Sequence, residues 1–187
     1  PAGVAPTRVV AQEYPEPGGR YNVSLPWEPG TGVVDRYAKQ HPAPFGEYIP
    51  LRSLLRVFSD QVDRVSIDMI AGTETGVVDL DASRLGRTVP LGVVICFEVA
   101  YDGLVNDAVD AGAELLVVPT NNASFGYTAE STQQLAMSRL RAVSTGRATV
   151  QVSTVGVSGV IAPDGTLLQS TGLFTADQMV ADLPLRT

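Results

Sequence analysis

The 187-residue sequence predicts an α/β fold with helices layered on a sheet, and three observations carry that reading. Two near-continuous apolar runs, Val89 to Cys96 and ELLVVPT at 114–120, read as strands buried on both faces. Each is followed by a stretch whose apolar residues recur at helical spacing, the strand–helix alternation of layered sheet-and-helix domains. Hydrophobic residues make up 44% of the chain, which is enough for one domain with a substantial core and far from disordered compositions.

Taken in order, TRVVAQ at 7–12 and YNVSL at 21–25 read as short strands around the turn signal PEPGG, and WEPGTG supplies the next turn. The stretch 33–50, VVDRYAKQHPAPFGEYIP, is too broken by proline for a helix and predicts a loop of polar residues held among aromatics, the kind of segment that carries function. LRSLLRVF at 51–58 has helical spacing, and 59–75 is polar and irregular. TGVVDL and RLGRTVPLGVVICFE predict two strands, the second ending at Cys96. From Glu98 to Ala111 the pattern predicts a helix with Ala100, Leu104 and Ala108 on one face, Val105 and Val109 beside them and Gly112 as its stop. The strand ELLVVPT, the polar loop NNASFGY and a helix from about Ala129 to Thr145 repeat the unit, with Leu135, Leu140 and Val143 expected inward. ATVQVST, VGVSGVIA and TLLQS predict strands, the last two joined by a PDG turn, and MVADLPL predicts a closing strand.

Charge narrows the function classes. A net charge of −7 argues against nucleic acid, whose phosphates call for a basic stripe. The central apolar run has eight residues against the roughly 20 that span a bilayer, so no transmembrane segment is expected. No signal-peptide pattern opens the chain, and Pro1 in place of Met points to residues upstream. One cysteine and one histidine build neither an intramolecular disulfide nor a zinc cluster of the usual spacing, so no metal is expected.

Two residues stand out by their rarity. Lys39 is the only lysine among 13 basic residues, and a compact, tunable ammonium is what arginine does not offer. Cys96, the only cysteine, sits where a buried strand gives way to a helix, whose amino terminus favours a thiolate; its alternative is plain apolar packing. Glu98 directly after a buried strand must be paired, hydrogen-bonded or neutralised. His41, two residues from Lys39, is either a base or a partly buried loop histidine.

GVVICFEVAYDG, preceded by DRYAKQHPAPFGEYIPL, resembles the nitrilase superfamily, and the string K-x-x-x-x-P-F-G-E-x-x-P narrows the resemblance to its apolipoprotein N-acyltransferase branch in actinobacterial-like form. NNASFG and QQLAMSRLRAV match the same branch, and the resemblance runs from about Val9 to Leu183. It implies a nitrilase-like αββα sandwich with mixed sheets over residues 1–187, lacking its first strand and helix and with them the catalytic glutamate. It also implies Cys96 as the nucleophile and Lys39 as the stabiliser of thiolate and oxyanion, with Glu47 and Glu98 in support. Phe97, Asn121, Ser124 and Phe125 are the implied substrate contacts; Ser124 stands where many members of the branch have an aromatic residue. Glu13, the nearest candidate for the missing base, falls in a segment resembling a structural strand.

The activity so implied is transfer of a fatty acyl group from a phospholipid, through a Cys96 thioester, to the N-terminal amine of a diacylglyceryl-lipoprotein. The implied partners are that phospholipid and the lipoprotein N-terminus; no cofactor is implied. The implied setting is the extracytoplasmic face of the bacterial cell membrane, reached through segments absent from this chain, and the fragment alone is expected to be inactive. A carbon-nitrogen hydrolase acting on a small amide and a non-catalytic nitrilase-fold module are the alternatives.

Overall fold

A computed structural model describes residues 7–15, 18–56 and 65–186, 7–11 and 55 by their backbone alone. Two sheets organise them. The smaller is built on the antiparallel pair β1 (Thr7–Glu13) and β2 (Tyr21–Glu28), with β3 (Gly32–Val33) and β4 (Tyr37–Ala38) pairing to β2. The larger is mixed and six-stranded. It comprises β5 (Val77–Ala82), β6 (Arg87–Val93), β7 (Leu115–Thr120), β8 (Thr149–Ser153), β9 (Gly159–Ile161) and β10 (Leu167–Ser170), in spatial order β10-β9-β8-β7-β6-β5. Only β6, β7 and β8 run parallel, because only they are joined through helices: α2 (Asp102–Asp110) lies between β6 and β7, and α3 (Glu130–Thr145) between β7 and β8.

Alternation along one chain stretch places the layers. Val93 and Ile95 point toward the smaller sheet and pack with Tyr37 and Val78, whereas Val94 points the other way and packs with Val99, Val105, Leu116 and Val118 beneath the helices. Each fully buried valine or leucine of these two clusters contributes roughly 1.5–3 kcal/mol by leaving water. The nitrilase-like layering expected for this α/β chain is thus present as a helical layer, a six-stranded mixed sheet and a second sheet.

Several elements differ from expectation. The helix expected over 51–58 is α1, Arg52–Leu55, and residues 57–64 lie outside the described ones. The loop at 33–50 contains two short pairings to β2, at Val33 with Trp27 and at Tyr37 and Ala38 with Ser24 and Val23. MVADLPL forms no strand: Pro184 has no N–H to give a ladder, Val180 stays 85% exposed, and the segment is tied by Gln169 donating to the Val180 carbonyl and by Arg186 N–H donating to that of Glu114. On α3, Leu140 and Val143 face solvent and the buried face carries Ser131, Gln134, Leu135, Ser138, Arg141 and Ala142. The surface beneath offers polar partners, so polar side chains turn inward; Ser138 donates to Gln151 of β8 at 2.7 Å.

One glycine packs closely against the backbone at Ala38 and Lys39. Gly72 N–H donates to the Lys39 carbonyl at 2.7 Å, and a Cβ on Gly72 would lie 2.3 Å from the Ala38 carbonyl oxygen. Gly72→Ala is therefore expected to destabilise the domain by about 1–3 kcal/mol, as overpacking against a fixed backbone does, and to displace Lys39. Chemical denaturation measures the first effect, and an unchanged midpoint would contradict this account.

Candidate active site

The chain leaves the ladder at Val93, runs extended through Val94 and Ile95, and turns sharply at Cys96, where φ is +56°. A side chain in that left-handed region costs about 1–3 kcal/mol unless its surroundings enforce it. The residues that follow form a 3₁₀ turn, Cys96–Ala100, and the α-helix starts only at Asp102. The single helix expected from Glu98 is therefore split, and its amino terminus does not rest on Cys96.

Glu98 enforces the turn. Its carboxylate is fully buried and accepts from the N–H of Ile95 (2.6 Å), Gln40 (2.7 Å) and His41 (3.0 Å) and from the Tyr37 hydroxyl (3.1 Å). One side chain thus ties the residue before Cys96 to the two residues after Lys39. Arg141 holds the far end of the turn from α3, donating to the carbonyls of Val99 (2.7 Å) and Ala100 (2.9 Å) and pairing with Asp102.

Lys39 itself is 1% exposed, and its ammonium donates to Glu47 Oε2 at 2.7 Å. Glu47 is oriented by the proline-rich turn that carries it, in which Phe45 takes φ +64° and Ala43 N–H donates to Glu47 Oε2 at 2.6 Å. Asn22 of β2 donates to Glu47 Oε1 at 3.3 Å. Below these groups opens a cleft of about 380 Å³. Asn22 and Glu47 line one wall; Cys96, Thr120, Asn121 and Thr154 line the other, at the carboxyl ends of the parallel strands β6, β7 and β8. Clefts at that end of parallel strands are where α/β folds bind ligands. A half-buried thiol on a strained turn shares the cleft with a carboxylate that the buried Lys39 ammonium holds, a set of groups suited to nucleophilic acyl chemistry.

The other expected residues are more dispersed. Phe97 is 44% exposed and meets Tyr101 edge-on with ring centroids 6.0 Å apart, outside the cleft lining; the exposed His41 ring lies 4.7 Å from Tyr101 on the same surface. Ser124 and Phe125 sit on the 3₁₀ turn Ala123–Phe125 after β7 and do not line the cleft either. Glu13 is held by the guanidinium of Arg36 at 2.6–3.0 Å. Among the described residues no group of three metal-ligating side chains occurs and no helix is long and apolar enough to cross a membrane. Asn22, Tyr37, Thr154 and Arg141 were not anticipated from sequence. For Arg141 a signal existed, an arginine spaced seven from Gln134 and three from Ser138 on one helical face.

Burial raises the Glu98 carboxyl above the usual glutamate range, outweighing the N–H donors of Ile95, His41 and Gln40 and the attraction of Lys39, all of which lower it. A proton is thus held more tightly in the folded state than in the unfolded one. The stability this group contributes is full below the ordinary glutamate pKa of about 4.3 and is lost as pH rises through the raised folded value. Wild-type stability is expected to fall with pH in that window, and Glu98→Gln to flatten the slope. Denaturation curves across the window check it; parallel slopes would contradict it.

The family profile described as carbon-nitrogen hydrolase matches residues 2–187. The apolipoprotein N-acyltransferase of Mycolicibacterium smegmatis is 40% identical over 166 residues, covering 89% of this chain and 27% of that protein. The chain spans about a quarter to a third of the length of the curated relatives it matches. Among solved structures, a glutamate-to-glutamine mutant of the amidase from Nesterenkonia sp. AN1 aligns with a TM-score of 0.64 at 21% identity, covering 91% of this chain and 58% of that one; that mutant shows covalent addition of the acetamide moiety of fluoroacetamide at its active-site cysteine. Saccharomyces cerevisiae Nit3, of branch 10 of the nitrilase superfamily, aligns with a TM-score of 0.65 at 17% identity, covering 89% and 55%. The chain therefore belongs to the carbon-nitrogen hydrolase family and has the nitrilase-superfamily fold.

Proposed function

We propose that this chain is part of the catalytic domain of an acyltransferase that N-acylates lipoproteins at the extracytoplasmic face of the bacterial cell membrane. The observation that carries the reading is that one cleft is lined both by Cys96, on its strained turn, and by Glu47, whose carboxylate is held by the buried ammonium of Lys39. The name of the Mycolicibacterium smegmatis relative supplies the substrate class.

In this reading the Cys96 sulfur attacks the ester carbonyl of a phospholipid, and its proton passes to a base. The carbon–oxygen bond breaks, the lysophospholipid alcohol takes up a proton, and a thioester remains. The free amine of an N-terminal diacylglyceryl-cysteine then attacks that thioester, forming the amide and returning the thiol. Lys39, with its counter-charge fixed by Glu47, stabilises the oxyanion of both tetrahedral intermediates. Glu98 acts through position: it holds the Lys39 and Cys96 segments together and does not touch the thiol. The family resemblance implies that the proton acceptor is a glutamate outside residues 1–187; within them Glu13 is paired with Arg36, Glu47 with Lys39, and Glu98 accepts from four donors. The isolated fragment is correspondingly expected to be inactive.

The test uses the full-length protein in detergent or vesicles with a phospholipid donor and a diacylglyceryl-cysteine peptide. The expected results are a hydroxylamine-labile acyl adduct on the peptide containing Cys96 and an acylated peptide amine. Amide hydrolysis without amine acylation would favour the small-amide hydrolase, a reading for which the structural likeness to an amidase is the supporting observation. Absence of any Cys96 adduct would favour a non-catalytic module.

A further inference from the structure

We infer that Thr154 is a positioning residue that locks the Asn121 carboxamide so that its NH₂ group serves as a hydrogen-bond donor to an oxygen of the acyl donor bound in the cleft; this rests on the function proposed above. Both residues line the cleft that holds Cys96, and each leaves the carboxyl end of a parallel strand, β7 for Asn121 and β8 for Thr154. Asn121 Oδ1 accepts twice, from Ala123 N–H at 3.1 Å and from the Thr154 hydroxyl at 3.1 Å.

The first of these bonds decides which way the amide points. A backbone N–H can only donate, so the atom facing Ala123 must be the oxygen, and the nitrogen takes the opposite side. With the oxygen engaged on both sides, the group left to the cleft is the NH₂, which has two donors and no acceptor.

The platform beneath is rigid. Neighbouring Asn122 is 1% exposed and bonded to Thr120 (2.8 Å) and Ser131 (3.2 Å), and Thr154 N–H donates to the Thr120 carbonyl at 3.4 Å. The loops after β7 and β8 are thereby joined, and the hydroxyl of Thr154 sets a side chain on the other loop. An oriented donor on a fixed base binds an oxygen without the entropy cost of finding its rotamer.

The experiment measures steady-state kinetics of the full-length protein as wild type, Thr154→Val, Thr154→Ser, Asn121→Ala, Asn121→Asp and the pair Thr154→Val/Asn121→Ala. Thr154→Val is expected to raise KM for the acyl donor about fivefold, the size of one neutral hydrogen bond, with kcat and the alkylation rate of Cys96 within about twofold of wild type. Thr154→Ser keeps the hydroxyl and should restore KM. Asn121→Asp keeps the accepting oxygen but replaces the donor with a second acceptor, so its KM should rise at least as far as that of Asn121→Ala. In the Asn121→Ala background Thr154→Val should change nothing, because its effect passes through Asn121. Both side chains are exposed, and thermal melts verify that the variants fold.

An unchanged KM in Thr154→Val, or an effect that persists in the Asn121→Ala background, overturns the inference. A fall in kcat together with slower Cys96 alkylation also overturns it, since that marks a disturbed turn at Cys96. Should the wild type hydrolyse a small amide and transfer no acyl group, the proposed function falls while the same variants, read on the amide's KM, still decide the role of Thr154. Turnover of neither substrate overturns both.

Discussion

Cys96→Ala is expected to abolish acyl transfer by the full-length protein, lowering kcat by at least about 10³-fold, since in the proposed function the thioester forms on this sulfur, the only thiol of residues 1–187. The more discriminating result is structural. Cys96 holds φ +56° with a Cβ, and alanine keeps that Cβ while removing the thiol. Glycine removes both. If the left-handed turn is strained for the sake of presenting the sulfur, Cys96→Gly should be inactive like Cys96→Ala yet more stable than it by about 1 kcal/mol, despite the greater chain entropy glycine brings to the unfolded state. Activity and urea denaturation of the two variants provide the comparison. Equal stabilities would mean that Glu98 and Arg141 have relaxed the turn until its backbone costs nothing. Retained activity in either variant would end the case for Cys96.

Why some of this was legible in sequence and some was not follows from distance along the chain. The β6–α2–β7–α3–β8 unit was legible because a strand buried on both faces is written as an unbroken apolar run and each helix as a periodic one. Lys39 and Cys96 stood out by rarity, and Glu47 only through the family resemblance of the PFGE string that carries it, eight residues from Lys39. What Glu98 does was not legible, because its partners Gln40 and His41 lie 58 and 57 residues earlier, and nothing local marks a carboxylate as the tie between two loops. Arg141 reaches Val99 across 42 residues for the same reason. The outward Leu140 and Val143 show the limit of the apolar-inward rule: α3 packs on the polar side chain of Gln151 and on the free carbonyls of a 3₁₀ turn, so the face it buries is one that can donate hydrogen bonds.

Lys39→Met is expected to produce the second large effect, and a companion variant separates its two components. The ammonium is 1% exposed and its partner Glu47 is largely buried, so removing the cation strands a carboxylate whose remaining donors are Ala43 N–H and the Asn22 amide. Breaking a buried pair from one side costs about 3–5 kcal/mol, and the modest exposure of Glu47 argues for the lower end. Replacing both members is a different change, since a neutral pair of similar volume carries no stranded charge. Lys39→Met/Glu47→Gln should therefore recover most of the lost stability. Activity should not follow. If Lys39 stabilises the oxyanion, the double variant remains as inactive as Lys39→Met, because the site is refolded but holds no cation to meet the developing charge. Denaturation midpoints and acyl-transfer rates of the three proteins decide between the alternatives. A double variant that regains activity along with stability would show that Lys39 serves only to neutralise Glu47 and would remove it from the chemistry.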